Sequence, residues 1–222
     1  MITIEEIKSN EKLMQFKKMV LDENKKMNLT SIVDDEEFIE KHLFDSLAIL
    51  DYFDYTNKKI MDLGTGGGFP GIPLAIMLPN TSFVLIDSTR KKCDFVESVA
   101  KTLGLINVKV ICSRAEELGG LYRDFFDFTV SRAVSFLPAL LELSIPFLRI
   151  NGKMISYKSI KYKEEIKASE SAFKTLNASL LEVKEFTLPL SKEKRFNIIV
   201  NKDKGTCGKF PRSFALIKKR PL

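Results

Sequence analysis

The sequence predicts an α/β fold, with a mostly parallel sheet, helices on both faces and a helical cap in front. From residue 58 onward, short apolar strand-like segments alternate with helix-like segments, which is typical of a parallel sheet. A glycine-rich segment, Asp62 to Pro73, connects the first strand to the first helix. We therefore predict a helical cap over residues 1–57 and a main domain over residues 58–222 that ends in a basic tail.

The individual elements follow from the spacing of apolar residues and from helix start and stop signals. In the cap, residues 4–29 predict one helix, and a second helix begins at Asp34 or Asp35 and continues to Leu50. Seven strands are predicted, at 58–63, 82–87, 108–112, 126–130, 153–158, 180–187 and 195–201. Helices are predicted over 73–78, over 89–103, from Ser113, over 135–148 and over 161–176, and the tail 203–222 is predicted to be irregular.

Length and composition limit the class of protein. A chain of 222 residues that is 45% hydrophobic can bury one substantial core. The longest apolar tract, 136–148, is interrupted by prolines and a glutamate and is shorter than the roughly 20 residues of a membrane span. The acidic N-terminus lacks a signal-peptide pattern, and three scattered cysteines with one histidine make no metal-binding pattern. We expect a cytoplasmic protein with no metal and no membrane partner.

Charge is distributed unevenly along the chain. Residues 1–57 carry 7 basic and 13 acidic side chains, whereas residues 153–222 carry 17 basic and 7 acidic side chains. A basic C-terminal third is expected for a protein that binds a polyanion, most simply a nucleic acid. A solvated lysine-rich surface explains the same composition, so charge alone leaves both interpretations open.

The glycine-rich segment fits two kinds of nucleotide cofactor. Gly66, Gly68 and Gly71 match the G-x-G-x-x-G fingerprint of dinucleotide-binding proteins. Asp62, Gly64, Gly66 and Gly68 match D-x-G-x-G-x-G instead. An acid at the end of the strand would repel a pyrophosphate, but it suits the ammonium and sulfonium groups of S-adenosylmethionine (SAM). We therefore predict SAM, with an NAD-binding oxidoreductase as the alternative.

Two later strand ends carry groups that suit the same cofactor. In an open α/β sheet, ligands bind beyond the carboxyl ends of the strands. Asp87 ends the second predicted strand, where its carboxylate can accept hydrogen bonds from both ribose hydroxyls. Ala115 and Glu116 follow the third strand and could frame an adenine ring.

The exit of the fourth strand, Ser131 to Val134, indicates the kind of methyl acceptor. It lacks the Asp/Asn-Pro-Pro-aromatic tetrad of enzymes that methylate exocyclic amines, and it lacks a cysteine nucleophile. An acceptor that needs no deprotonation fits best, such as a ring nitrogen with a free lone pair. Guanine N7 is such a nitrogen, and its enzyme needs mainly to position two reactants.

Six segments together carry a family resemblance, namely Asn24–Thr30, His42–Leu47, Asp62–Pro73, Asp87–Ser88, Arg114–Glu117 and Ser131–Ala133. In these segments the chain resembles the RsmG (GidB) methyltransferases, which methylate guanine N7 in 16S ribosomal RNA (rRNA) with SAM. The resemblance extends over nearly the whole chain. It implies a class I SAM-dependent methyltransferase, with a Rossmann-like seven-stranded sheet that is mostly parallel and has an antiparallel edge.

The resemblance also implies roles for individual residues. Arg132 and His42 would be the catalytic residues, Arg132 at the junction of cofactor and substrate, although His42 is not expected to act as a general base. The residues expected to contact SAM are Asp62, Gly64, Gly66, Gly68, Phe69, Asp87, Ala115, Glu116 and Arg132. The residues expected near the incoming base are Asn28, His42, Asp45 and Ser46, and those expected on the RNA backbone are Lys158, Arg195 and Arg212.

The chain departs from the family pattern at a few positions, among them Glu23, Lys41, Ser159 and the pair Phe214-Ala215. The implied target is a loop guanine near the decoding region, on either naked 16S rRNA or the assembled small ribosomal subunit. We expect the protein to act as a monomer. A non-catalytic RNA-binding assembly factor that retains the fold is a further alternative.

Overall fold

Seven strands form one mixed sheet in the computed structural model, which describes residues 2–222. The strands are β1 Lys59–Leu63, β2 Ser82–Asp87, β3 Val108–Cys112, β4 Phe126–Arg132, β5 Leu148–Lys158, β6 Ala178–Thr187 and β7 Lys194–Lys202. Their order is β3-β2-β1-β4-β5-β7-β6. The first five strands are parallel, and β7 runs antiparallel to both β5 and β6. The predicted parallel sheet with an antiparallel edge is confirmed.

Helices cover both faces of this sheet. The cap contains α1 Ile4–Ser9, α2 Glu11–Asn24 and α3, a continuous helix made of Asp35–Phe38, a π-helical segment Ile39–Phe44 and Asp45–Leu47. The later helices are α4 Gly71–Met77, α5 Arg90–Thr102, α6 Leu137–Ser144, α7 Tyr162–Lys167, α8 Glu170–Leu176 and α9 Phe214–Lys219. Short 3₁₀ turns lie at Ala115–Glu117, Gly119–Tyr122 and Ile145–Phe147.

Alternation along the strands divides the core into two apolar layers, because successive side chains of a strand point to opposite faces. Ile60 packs with the cap, α4 and α5, whereas its neighbour Met61 packs with α6, α8 and α9. The cap is anchored in the first layer, where Phe16 and Phe38 are fully buried with Ile60 and Phe83. The cap and the sheet therefore share one continuous core.

Several predicted boundaries were wrong. The single helix over 4–29 is two helices, because Asn10 has an extended backbone and its side chain accepts a hydrogen bond from Leu13 N, which starts α2. The helix over 161–176 is likewise divided into α7 and α8. The fifth strand begins at Leu148 rather than 153, because Leu148 already pairs with Phe126. The Asn151-Gly152 pair, with Asn151 in a left-handed conformation (φ 66°), lies in an irregular part of β5 and does not precede it as a turn. The tail contains α9 and is not wholly irregular.

No helix within residues 2–222 is both long enough and apolar enough to cross a membrane.

Candidate active site

A cleft of about 680 Å³ opens at the carboxyl ends of β1, β2, β3 and β4, under the edge of the cap. This is where ligands bind in open α/β sheets. Ten of the residues singled out from sequence line it, namely His42, Asp45, Gly64, Gly66, Phe69, Asp87, Ala115, Glu116, Arg132 and Arg195. The cleft therefore brings together residues from the cap, the glycine-rich loop, three further strand ends and the antiparallel edge.

The glycine-rich loop needs its glycines for close approach. A Cβ on Gly71 would overlap Leu85 Cδ2 and would lie 2.6 Å from Asp62 Oδ2. Gly64 has φ +70°, and a Cβ there would overlap the side chain of Val134. A Cβ on Gly66, by contrast, would meet only Gly64 O at 3.9 Å, so the main chain of Gly66 borders open cleft. This main chain is accessible to a bound ligand.

Asp87 connects the loop to the cleft. Its Oδ2 accepts a hydrogen bond from Gly66 N at 3.0 Å, and its Oδ1 accepts one from Thr89 N at 2.8 Å. The side chain remains partly exposed and lines the cleft. A carboxylate has about four acceptor positions, so Asp87 can hold the loop and still accept hydroxyl donors from a ribose.

Asp62 lies beneath the loop rather than in the cleft. It is fully buried, and its Oδ2 accepts a hydrogen bond from Gly71 N at 2.9 Å. Burial raises the pKa of Asp62 to about 7. Gly68 also faces away from the cleft, since a Cβ there would contact Ile72 and Phe16. Both residues therefore position the loop. Because Asp62 does not line the cleft, it has no direct contact through which its charge could favour SAM.

The other end of the cleft is closed by the C-terminal tail. Glu116 Oε1 accepts a hydrogen bond from Phe214 N at 3.1 Å, and the Phe214 ring lies under the Arg114 guanidinium at 5.5 Å. Arg212 forms a fork on the buried Glu142, with Nε–Oε1 at 2.7 Å and Nη2–Oε2 at 2.5 Å. The tail is thus fixed to α6 and to the turn that follows β3, and Phe214 lines the cleft.

Arg132 and His42 form a hydrogen-bonded cluster in the cleft. Arg132 Nη1 donates to Lys41 O at 3.1 Å and to Asp45 Oδ2 at 3.2 Å, and Nη2 donates to His42 Nδ1 at 2.9 Å. A guanidinium can only donate, so His42 Nδ1 must be the acceptor and its Nε2 must carry the proton. That Nε2 lies 2.6 Å from Thr30 Oγ1, to which it donates. Both ring nitrogens of His42 are therefore engaged in hydrogen bonds.

Burial and the adjacent Arg132 charge lower the pKa of His42 to about 3. The neutral ring stacks on Phe69, with the ring centroids 4.6 Å apart and the planes at 20°. The Arg132 guanidinium also lies over Phe69, 4.9 Å from its centroid. Phe69, which lines the cleft, is therefore held by a cation and an aromatic ring.

Thr30, which was not among the predicted site residues, is held in turn by the cap. Asn24 Oδ1 accepts hydrogen bonds from Leu29 N at 2.7 Å and Thr30 N at 3.0 Å, and Asn24 Nδ2 donates to Thr30 O at 2.9 Å. This network explains why the segment Asn24–Thr30 contributes to the site although it lies in a loop. Thr30 belongs to a segment on which the family resemblance rests, but nothing in the residue spacing identified it as the hydrogen-bond partner of His42.

Apart from Arg195, the remaining predicted residues lie outside the main cleft. Asn28 is exposed on the cap loop, and Ser46 is fully buried, donating its hydroxyl to His42 O. Arg195 lines the cleft but pairs with Glu193 at 2.8 Å. Lys158 lies in a neighbouring cavity, paired with Glu165 at 2.6 Å. With the Arg212–Glu142 fork, all three basic residues predicted for the RNA backbone are engaged by a carboxylate.

Among the known protein families, a model described as rRNA small subunit methyltransferase G (GidB) matches residues 9–195. The chain belongs to this family. The rRNA small subunit methyltransferase G of Fusobacterium nucleatum is 43% identical over 212 residues, which cover 96% of this chain and 91% of that protein. The enzyme of the same name from Carboxydothermus hydrogenoformans is 42% identical over 210 residues, covering 94% of this chain and 89% of that protein.

Solved structures support the fold of this methyltransferase G family member. A SAM-dependent methyltransferase from Aquifex aeolicus superposes with a TM-score of 0.60 at 18% identity, covering 82% of this chain and 98% of that chain. The resemblance inferred from sequence is confirmed as family membership, and neither the NAD-binding oxidoreductase nor the non-catalytic assembly factor is favoured. The protein is accordingly a SAM-dependent methyltransferase.

Proposed function

We propose that this protein transfers the methyl group of SAM to N7 of a guanine in 16S rRNA. The observation that carries the N7 assignment is the state of His42. Its Nδ1 accepts from Arg132 and its Nε2–H donates to Thr30, so the histidine has no lone pair with which to remove a proton. This supports an acceptor atom that needs no deprotonation.

The cleft residues fit SAM. The open main chain of Gly66 and the carboxylate of Asp87 suit the amino acid and ribose parts, and Ala115 and Glu116 lie where the adenine would follow. Phe214 adds an aromatic face at that end. When bound, SAM supplies a methyl group on a positively charged sulfur, which guanine N7 can accept through its lone pair without losing a proton.

The work of the protein is then orientation. Arg132 is fixed by three acceptors on one helix of the cap, and it holds the cap against the exit of β4. Phe69 is packed between His42, Arg132 and the cap ring of Phe16, whose centroid lies 5.0 Å away. Positioning two reactants in a rigid site can supply roughly 7–11 kcal/mol of the barrier reduction.

The rRNA of the small ribosomal subunit is the proposed partner, in agreement with the names of the relatives. The protein acts as a monomer in the cytoplasm, on a loop guanine near the decoding region. Loop bases are unstacked more easily than paired bases, which suits an enzyme that must reach the ring of its target. The net charge of +6 favours approach to the RNA.

Two measurements test this proposal. Calorimetry should show SAM binding and no NAD binding, and tight binding of NAD alone would refute the cofactor assignment. Tritiated SAM should label small-subunit rRNA from cells that lack this enzyme, both as naked 16S rRNA and as assembled subunits in parallel reactions. Absence of label from both substrates would refute the rRNA assignment.

A further inference from the structure

A second cavity of about 310 Å³ opens beside the cofactor cleft. It lies between the ends of β4 and β5 and the start of β7, and it shares Asp45, Arg132, Ala133 and Arg195 with the cleft. Its volume is at the lower end of the range for small-molecule sites, about 300–1,000 Å³. A single planar ring system in this cavity would therefore reach the cofactor cleft at the shared residues.

An ion pair provides the polar groups on the far side of this cavity. Lys158 Nζ donates to Glu165 Oε2 at 2.6 Å and to Ser135 O at 2.8 Å. The side chains of Lys158 and Glu165 are 11% and 12% exposed, so the pair is largely withdrawn from solvent. Burying an ion pair is costly unless the geometry and further hydrogen bonds compensate for the lost hydration.

The pair retains hydrogen-bonding capacity on the cavity side. Glu165 Oε2 is occupied by Lys158 and by Leu137 N at 2.8 Å, whereas no hydrogen bond within residues 2–222 uses Oε1. An ammonium group has three donor hydrogens, and two of the Lys158 hydrogens are used. One acceptor and one donor therefore remain, on side chains whose positions are fixed.

This combination is complementary to the Watson–Crick edge of guanine. Guanine presents the N1–H and N2–H₂ donors beside the O6 acceptor, whereas adenine presents an acceptor at N1 and a donor at N6. On the base, O6 lies between N1 and N7, so a guanine held through N1, N2 and O6 by Glu165 and Lys158 keeps N7 free for methylation. Recognition of an exposed base through its Watson–Crick edge is common in RNA-binding proteins.

We propose that this second cavity binds the target guanine, with Glu165 Oε1 accepting hydrogen bonds from N1–H and N2–H₂ and Lys158 donating to O6. Glu165 is thus a specificity-determining residue, and Lys158 contacts the base rather than the RNA backbone. The proposal rests on the guanine-N7 activity proposed above and adds how the base is selected.

The test is a double-mutant cycle between the protein and the base. The target nucleotide is first mapped, and small-subunit rRNA is then prepared by ligation with either guanosine or inosine at that position. Inosine retains N7, N1–H and O6 but lacks the N2 amino group. Methyl transfer to both RNAs is measured with the wild-type protein, with Glu165→Gln and with Glu164→Gln, an exposed neighbour on the same helix that serves as the control.

The wild type and Glu164→Gln should lose roughly tenfold to a hundredfold in kcat/KM on inosine RNA. Glu165→Gln should lose a similar factor on guanosine RNA, with SAM affinity unchanged, and should lose much less on changing to inosine. Equal inosine penalties in all three proteins would overturn the proposal. If Glu165→Gln fails to fold, the wild type decides, since equal methylation of both RNAs would also overturn it.

A different result is expected if the proposed guanine-N7 activity itself is wrong. In that case the wild-type protein would transfer no methyl group to N7 of the unmodified guanosine RNA. Normal N7 methylation without coupling between Glu165 and the N2 amino group would refute only the assignment of the second cavity.

Discussion

Arg132 Nη2 donates a hydrogen bond to Nδ1 of His42 at 2.9 Å, and this contact joins the exit of β4 to the helical cap. It fixes the tautomer of the histidine, since the guanidinium has no lone pair to offer. It also places a permanent positive charge beside the imidazole, which disfavours imidazolium. Both consequences can be measured.

Arg132 should not be replaceable by lysine. Its fork spans Lys41 O, Asp45 Oδ2 and His42 Nδ1, and an ammonium group cannot reproduce that planar geometry. We expect Arg132→Lys to reduce single-turnover methyl transfer by roughly a hundredfold, because small displacements in a positioned site have effects of that size. Arg149→Lys is the matched control, since Arg149 pairs with Asp127 at 2.7 Å near the beginning of β5. Equal losses in both variants would contradict a specific role for Arg132.

His42 should remain neutral throughout the physiological range. It is the only histidine in the sequence, so its imidazole nitrogens can be followed by ¹⁵N NMR without ambiguity. With a folded-state pKa of about 3, the ring should keep its proton on Nε2 between pH 8 and pH 5. A titration midpoint near the ordinary value of about 6.5 would contradict the arrangement.

The same shift determines the sign of the contribution of His42 to stability. Between about pH 6.5 and pH 3 the unfolded chain binds a proton at this histidine and the folded chain does not. The free energy of unfolding should therefore fall as the pH is lowered through that window, by up to about 1.4 kcal/mol per pH unit from this one group. In His42→Gln this contribution should be absent, which urea denaturation at pH 5 and pH 7.5 can compare with the wild type.

Asp62 and Asp87 should differ in their effect on SAM affinity. Asp87 lines the cleft, whereas Asp62 is buried with one oxygen on Gly71 N. We expect Asp87→Asn to weaken SAM binding by roughly tenfold to a hundredfold, since hydrogen bonds to a charged group contribute about 1.5–3 kcal/mol. Asp62→Asn keeps an acceptor for Gly71 N and should change the affinity much less. A larger effect at Asp62 in calorimetric titrations would restore the direct charge role inferred from sequence.

Gly71 should be more sensitive to an added methyl group than an open glycine. An alanine there would overlap Leu85 and Asp62, whereas a Cβ on Gly120 would meet nothing within 4 Å. Overpacking typically costs about 1–3 kcal/mol. Gly71→Ala should therefore lower the urea midpoint clearly while Gly120→Ala changes it little. Similar midpoints for the two variants would show that Leu85 and Asp62 can move away from the added methyl group at little cost in stability.

The sequence was sufficient for the sheet because β1 and β2 are short apolar segments bounded by turn signals. The sequence did not show that the acidic residues near the ends of these strands, Asp62 in β1 and Asp87 in β2, differ in accessibility. Asp62 lies one residue inside β1, beneath the loop, whereas Asp87 is the last residue of β2 and reaches the cleft. A shift of one residue relative to the sheet edge decides between a buried and an accessible carboxylate, and strand boundaries are uncertain by more than that.

Contacts between distant segments were also beyond the sequence. Phe214 meets Glu116 across 98 positions, and Arg212 meets Glu142 across 70. Arg212 was assigned to the RNA backbone by the family resemblance, but the buried carboxylate of Glu142 requires a charge partner, and Arg212 supplies it. The ion pair between Glu165 and Lys158 was missed for a related reason, because it depends on where α7 packs relative to β5.

The chemical position of the transferred methyl group tests the proposed guanine-N7 activity most directly. Small ribosomal subunits from cells lacking this enzyme would be incubated with isotopically labelled SAM, and the rRNA would be digested and analysed by mass spectrometry. We expect one labelled 7-methylguanosine per subunit. A label on an exocyclic amine, a pyrimidine carbon or a ribose hydroxyl would contradict this expectation.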